Sequence, residues 1–125
     1  MFFKRSCIAL AIICSQIHAS VVEINDINQF NNKIKTGKSV VKFYMDNCPP
    51  CKASAPMFTT LSQSDKYQDV NFITVNFNRG KRIVLKYARM FPTFAIFKDG
   101  AKVGGNIVGY DNKTQGQIIS RIDAL

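Results

Sequence analysis

The tetrapeptide Cys48-Pro49-Pro50-Cys51 joins an apolar, β-branched run (Val40 to Met45) directly to a segment of helical spacing. A strand must therefore end, and a helix begin, within a few residues of two sulfurs. Proline fits the first helical turn, because the N–H it lacks has no intrahelical partner there. With Cys48 ending the loop and Pro50 inside that turn, both sulfurs fall at one helix N-terminus. Unpaired backbone N–H groups and the positive end of the helix dipole then face the Cys48 sulfur. This setting favours thiolate over thiol, and the thiolate is the nucleophile. The i, i+3 spacing lets Cys51 reach back and close a Cys48–Cys51 disulfide. The chemistry expected is thiol–disulfide exchange, with Cys48 attacking and Cys51 resolving.

Two other readings of the pair stand beside this one. A zinc site needs about four ligands, from two such pairs or from a pair plus histidines. The chain has one histidine, His18, so zinc could be held only between chains. A purely structural disulfide is the second alternative, although so short a loop gains little from restricting the unfolded chain.

The N-terminus bears on the cysteine count. Lys4 and Arg5 form a basic start, Cys7 to Ile17 is mostly apolar and uncharged, and Ala19 offers a small residue for cleavage. This is the form of a secretory signal peptide over residues 1–19. Its apolar core is shorter than the roughly 20 residues of a membrane-spanning helix. Cleavage would remove Cys7, Cys14 and His18, leaving Cys48 and Cys51 as the sole cysteines of a domain at 20–125. An exported chain meets an oxidising compartment, periplasmic or extracellular, and an isolated pair there reads as a redox pair. Without histidine, histidine-assisted hydrolysis and thiol-protease chemistry are excluded. The full chain has a formal net charge of +9. Most cations are dispersed, but Arg79, Lys81, Arg82, Lys86 and Arg89 cluster. Such a cluster fits a solvated helix face, an acidic partner or an anionic membrane surface; no nucleic-acid recognition motif accompanies it.

Along the mature segment the pattern alternates. Val21 to Ile24 is a short strand. Asp26 and Gln29 have the form of a capping box ahead of Ile27, Phe30 and Ile34, and Gly37 ends that helix. Ser39 to Met45 reads as a central strand, interrupted by Lys42. Lys52 to Tyr67 is helical, with Ala53, Met57, Leu61 and Ser64 along one side and a kink expected at Pro56. Val70 to Phe77 is a strand, and Gly80 to Arg89 a basic helix with Ile83, Val84 and Tyr87 inward. Phe94 to Phe97 is a strand, Asp99-Gly100 a hairpin turn, and Ala101 to Val108 a weaker strand with a bulge at Gly104-Gly105. Asp111 or Asn112 caps a last helix that buries Ile118, Ile119 and Ile122. The order is β-α-β-α-β-α-β-β-α, an α/β fold of parallel strands with an antiparallel C-terminal hairpin.

Taken together, residues 20–125 resemble the thioredoxin family. The CxxC follows the strand Val40-Val41-Lys42-Phe43-Tyr44. Cys51 is followed five residues on by Pro56. Phe91-Pro92-Thr93-Phe94 looks like the family's cis-proline loop, and Lys98-Asp99-Gly100 with Val108-Gly109 like its terminal hairpin. The resemblance implies a thioredoxin fold, a central mixed sheet flanked by helices. It implies that Pro92 is cis and packs against the disulfide. Phe91, Pro92 and Thr93 would then bind an extended substrate through main-chain pairing. Two departures stand out. Asn47 replaces the tryptophan usual before the first cysteine. Lys42 occupies the position of a buried aspartate thought to assist proton transfer; a lysine there either favours the Cys48 thiolate or snorkels to solvent.

The function expected is a thiol–disulfide oxidoreductase working through the CPPC dithiol, its direction open between reductase, oxidase and isomerase. No metal or organic cofactor is needed, because the dithiol is the redox centre. The partners expected are protein thiols and disulfides and a separate redox partner, with no nucleic acid, no stable membrane insertion and a monomeric state. The alternative is a thioredoxin-fold binding module that docks a partner on the face Arg79 to Arg89, with a structural disulfide.

Overall fold

A computed structural model describes residues 20–125, and the expected signal peptide at 1–19 lies outside the described residues. The elements run β1 (Val21–Glu23), α1 (Ile27–Ile34), β2 (Lys38–Tyr44), α2 (Pro49–Gln63), β3 (Val70–Asn76), α3 (Lys81–Tyr87), β4 (Thr93–Lys98), β5 (Ala101–Lys102), β6 (Ile107–Val108) and α4 (Thr114–Asp123). A single 3-10 turn, Asp65–Tyr67, links α2 to β3. The strands lie in the order β1-β3-β2-β4-β5, and β6 also pairs with β4. This is the mixed sheet of the thioredoxin fold.

β1, β3 and β2 are mutually parallel, whereas β4 is antiparallel to β2. The antiparallel part thus begins one strand earlier than the alternation implied. The seven-residue α3 and the stretch 88–92 after it return the chain in the opposite sense. The hairpin turn is present, with Asp99 and Gly100 both at positive φ (48° and 85°), as a type I′ turn requires. The strand expected from Ala101 to Val108 is split in two. Phe97 faces Lys102 while Phe94 faces Ile107, so two additional residues are looped out where Gly104 and Gly105 lie.

Alternation along β2 decides which side chains meet which helices. Val41 and Phe43 point into one layer with Phe30 and Ile34 of α1 and Ile83 and Val84 of α3. Val40 points into the other, with Phe58 and Leu61 of α2 and Ile118 and Ile122 of α4. Lys42 shares the side of Val40, beneath α2, because side chains two apart in a strand point the same way. Phe30 is fully buried, with Phe97 edge-on at 5.9 Å and Tyr87 at 6.0 Å between ring centres. Its burial stabilises the α1–α3 layer by about 2 kcal/mol.

Helix ends follow local chemistry. Asp26 caps α1 by accepting from Gln29 N at 2.9 Å. α2 begins at Pro49, with Pro50 in its first turn as expected, and runs through Pro56 as one element. Its buried side is Cys51, Ser54, Met57, Phe58, Leu61 and Ser62, whereas Ala53 is exposed and Ser64 half-buried. At α4 the cap position is Lys113, with no side-chain cap. Asp111 instead accepts from Lys113 N at 2.8 Å in the preceding turn. Ile118 and Ile122 are buried, and Ile119 only partly.

Gly80 precedes α3, and a Cβ there would lie 2.7 Å from Val75 Cγ1 and 3.2 Å from Asn25 Cα. Gly80→Ala should cost about 1–3 kcal/mol through overpacking, read as a lower urea midpoint at unchanged slope. An unchanged midpoint would mean that the segment yields freely.

Candidate active site

Cys48 is the N-cap of α2, in an extended conformation (φ −112°, ψ 101°), and Pro49 and Pro50 fill the first two helical positions. Its Sγ accepts the Cys51 N–H at 3.3 Å. Its carbonyl accepts Lys52 N at 3.1 Å. The sulfur therefore does what a serine or aspartate oxygen does at other helix starts, satisfying a donor that has no intrahelical partner. The two cysteines form a disulfide with Cα atoms 5.2 Å apart. Both cysteines are buried, Cys48 at 7% exposed and Cys51 at 3%, and the exposed residues Pro49 and Pro50 lie between them.

The loop ahead of the cap is held from below. Asn47 adopts φ 57°, a left-handed conformation that asparagine tolerates better than most residues. Asp46 accepts from Asn76 Nδ2 at 3.0 Å and Asn78 Nδ2 at 2.8 Å. Phe77 N donates to Tyr44 O at 2.8 Å. These bonds tie the ends of β2 and β3 together under the dithiol.

The Phe91–Pro92 bond is cis. Thr93 pairs with Phe43 across β2 and β4, and continuing that register sets Pro92 opposite Tyr44, at the sheet end where the CxxC emerges. Pro92 and Thr93 are buried. Thr93 Oγ1 donates to Met90 O at 2.6 Å, and Pro92 O accepts Gly109 N at 2.8 Å. Phe91 is half-buried, its ring 5.4 Å from that of Phe77, and it stands just ahead of the β4 ladder.

Lys42 does not snorkel. It is 4% exposed, flanked in the sheet by Thr74 and Phe94. Its Nζ donates to Cys51 O at 2.8 Å, a carbonyl that also accepts from Ser54 Oγ at 2.9 Å. A strand in the middle of a sheet and covered by α2 leaves the stem no route outward. Burial lowers the amine from 10.5 to about 8. Among the described residues it has no carboxylate partner. An open cleft of about 490 Å³, lined by Lys42, Tyr44, Asp46, Cys51, Lys52 and Thr74 among others, runs beside it. Tyr44, Asp46 and Thr74 were not legible as site residues, since nothing local in the sequence marks them.

The thioredoxin family model matches residues 20–124. The chain belongs to the thioredoxin family. It is 30% identical over 108 residues to thioredoxin Asp f 28 of Aspergillus fumigatus, covering 86% of this chain and 98% of that one. It is 33% identical over 111 residues to the mitochondrial thioredoxin-2 of Schizosaccharomyces pombe, covering 86% and 80%. The solved thioredoxin of Malassezia sympodialis superposes with a TM-score of 0.73 at 29% identity, covering 82% of this chain and 90% of that one. With the Cys48–Cys51 disulfide in place, membership makes this protein a thiol–disulfide oxidoreductase that acts on protein thiols and disulfides.

The lowered Lys42 amine has a thermodynamic consequence. Unfolding returns the group to water and to 10.5, so between about 8 and 10.5 the unfolded chain holds the extra proton. The folded state is penalised below 8 and relieved as pH rises through this window. At pH 7 Lys42→Met should be about 1–2 kcal/mol more stable to urea, net of the lost hydrogen bond. That advantage should narrow as pH passes 8; a gap independent of pH removes the buried-charge account.

Proposed function

We propose that Cys48 is the attacking residue and Cys51 the resolving one. The Cys48 thiolate attacks a substrate disulfide, whose S–S bond breaks as the Cys48–substrate bond forms and the second substrate sulfur leaves as thiolate. The Cys51 thiolate then attacks Cys48 Sγ. The mixed disulfide breaks, the Cys48–Cys51 bond forms, and the substrate departs with both electrons. The reverse sequence oxidises a substrate dithiol, and the relative potentials set the direction. The observation that carries the assignment is the Cys48 cap: its sulfur accepts a helix N-terminal N–H, which favours thiolate there, and Cys48 is the slightly less buried residue of the pair. Phe91, Pro92 and Thr93 supply the rim along which the substrate chain lies, with Phe91 ahead of the ladder and free of a strand partner to offer its main chain. Lys42 supports the thiolate with its charge below about pH 8, from its place on the Cys51 carbonyl, which Ser54 Oγ also bonds. The active unit is a monomer that depends on a separate redox partner.

We also propose that the chain is exported and loses residues 1–19, on the pattern of its basic start, apolar core and Ala19.

Cys51→Ser should accumulate a stable mixed disulfide with a peptide disulfide, seen by mass, whereas Cys48→Ser and the double variant should form none. In the same assay Lys42→Met should react more slowly than wild type below pH 8 and converge with it above. A double variant that retains full exchange activity would overturn the mechanism. For export, the protein isolated from cells should begin at Ser20 and fractionate outside the cytosol; an intact Met1 terminus in the cytosol or a mitochondrial fraction contradicts it.

A further inference from the structure

From Val70 to Lys98 the chain carries six cations and no acidic residue. Four of them, Lys81, Arg82, Lys86 and Arg89, are exposed on or beside α3; Arg82 and Lys86, at i, i+4, share one face of the helix, and Arg89 follows just beyond its end. Three features of this face work against the helix that bears it. Lys81 and Arg82 occupy the first turn, where no acidic residue is present and where the dipole disfavours cations. Arg82 and Lys86 are like charges at i, i+4, which repel. Leu85 and Met90 are 45% and 64% exposed among them. Apart from Arg79, which pairs with Glu23 at 3.7 Å, no cation on this face forms an ion pair with a described residue. No carboxylate among the described residues neutralises Lys81, Arg82, Lys86 or Arg89, which leaves them open to an acidic partner.

The face is rigid and leads into the exchange site. Lys81 Nζ sits 5.4 Å over the Phe77 ring and Lys86 Nζ 5.6 Å over the Tyr87 ring. Arg89 Nη1 donates to Leu85 O at 2.5 Å and Ala88 O at 3.2 Å, and Asn106 Nδ2 to Tyr87 O at 2.6 Å. One residue past Met90 lies Phe91, at the rim proposed above for the substrate chain. From Arg82 to Lys86 is about 6 Å of helix, the reach of roughly two residues of extended polypeptide, and Arg89 follows beyond the helix end, where Ala88 is extended.

We infer that α3 is the specificity surface for acidic protein substrates: Arg82, Lys86 and Arg89 receive Asp or Glu side chains flanking the substrate cysteine, and Leu85 and Met90 receive an apolar neighbour. The cations act before exchange, by raising the encounter rate and orienting the chain along Phe91. The inference rests on the oxidoreductase assignment and adds the chemistry of its substrates. A polypeptide is favoured over a lipid surface because the segment runs on, past Met90, to Phe91, where a substrate chain must already lie, and exposed Leu85 lies among the cations.

The test uses the reduced protein with two synthetic peptides, each closed by one disulfide and identical except for flanking Asp/Glu or flanking Asn/Gln. The uncharged small molecule 2-hydroxyethyl disulfide is the control. Wild type should react with the acidic peptide about tenfold faster at low salt, with the preference falling as salt rises. Arg82→Glu/Lys86→Glu should lose or invert the preference while reacting with 2-hydroxyethyl disulfide at the wild-type rate. Equal rates for the two peptides, or a preference that survives in the double variant, overturns the inference and leaves the oxidoreductase assignment standing. Failure to react with any of the three disulfides strikes the assignment itself. Sedimentation with phosphatidylglycerol vesicles that is lost in the double variant, without any peptide preference, would give the face to a membrane instead.

Discussion

The hydrogen bond from the Cys51 N–H to Cys48 Sγ is the contact on which the site depends. It makes a sulfur the cap of a helix, and so joins two requirements in one atom. The helix start needs an acceptor, and the sulfur, once reduced, needs a donor to carry negative charge. Pro49 and Pro50 suit the same turn because neither has an N–H to leave unsatisfied. Everything beneath this turn serves to hold it. Asp46 binds the β3 end through Asn76 and Asn78, and the β2–β4 register brings the Phe91–Pro92 edge to the same sheet end.

A second theme is charge set where the fold gains nothing from it. Lys42 stands in the middle of the sheet with a carbonyl for a partner, its amine held near 8 by burial. α3 carries cations at its positive end and like charges a turn apart. The first bonds the Cys51 carbonyl directly, at a place where functional sites commonly carry such a cost, and the second lies on the segment that runs on to Phe91 and the cis bond.

Much of the fold could be read directly. The strand–CxxC–helix junction, the Asp26 cap and the Asp99-Gly100 turn all depend on a few adjacent residues, whose conformational preferences act locally; the cis bond before Pro92 was implied by the family resemblance of Phe91-Pro92-Thr93-Phe94. The misreadings are equally instructive. Of the α2 face expected at Ala53, Met57, Leu61 and Ser64, Met57 and Leu61 are buried, whereas Ser54 and Phe58, and not Ala53, complete it, because a strict four-residue spacing drifts off a 3.6-residue turn. The split of β5 from β6 turns on how β4 pairs on each side of Gly104 and Gly105, which neither glycine specifies alone.

The amino-acid order by itself determined the cysteine pair, its place at a helix start and the kind of chemistry open to it, because capping and turn preferences operate over three or four residues. Only the tertiary structure decided the environment of that pair. Whether Lys42 reached solvent depended on which strands flank β2 and which helix covers it, and its charge depends in turn on that burial. The direction of β4 and the convergence of Asp46, Asn76 and Asn78 are likewise long-range outcomes, set by packing between segments far apart in sequence.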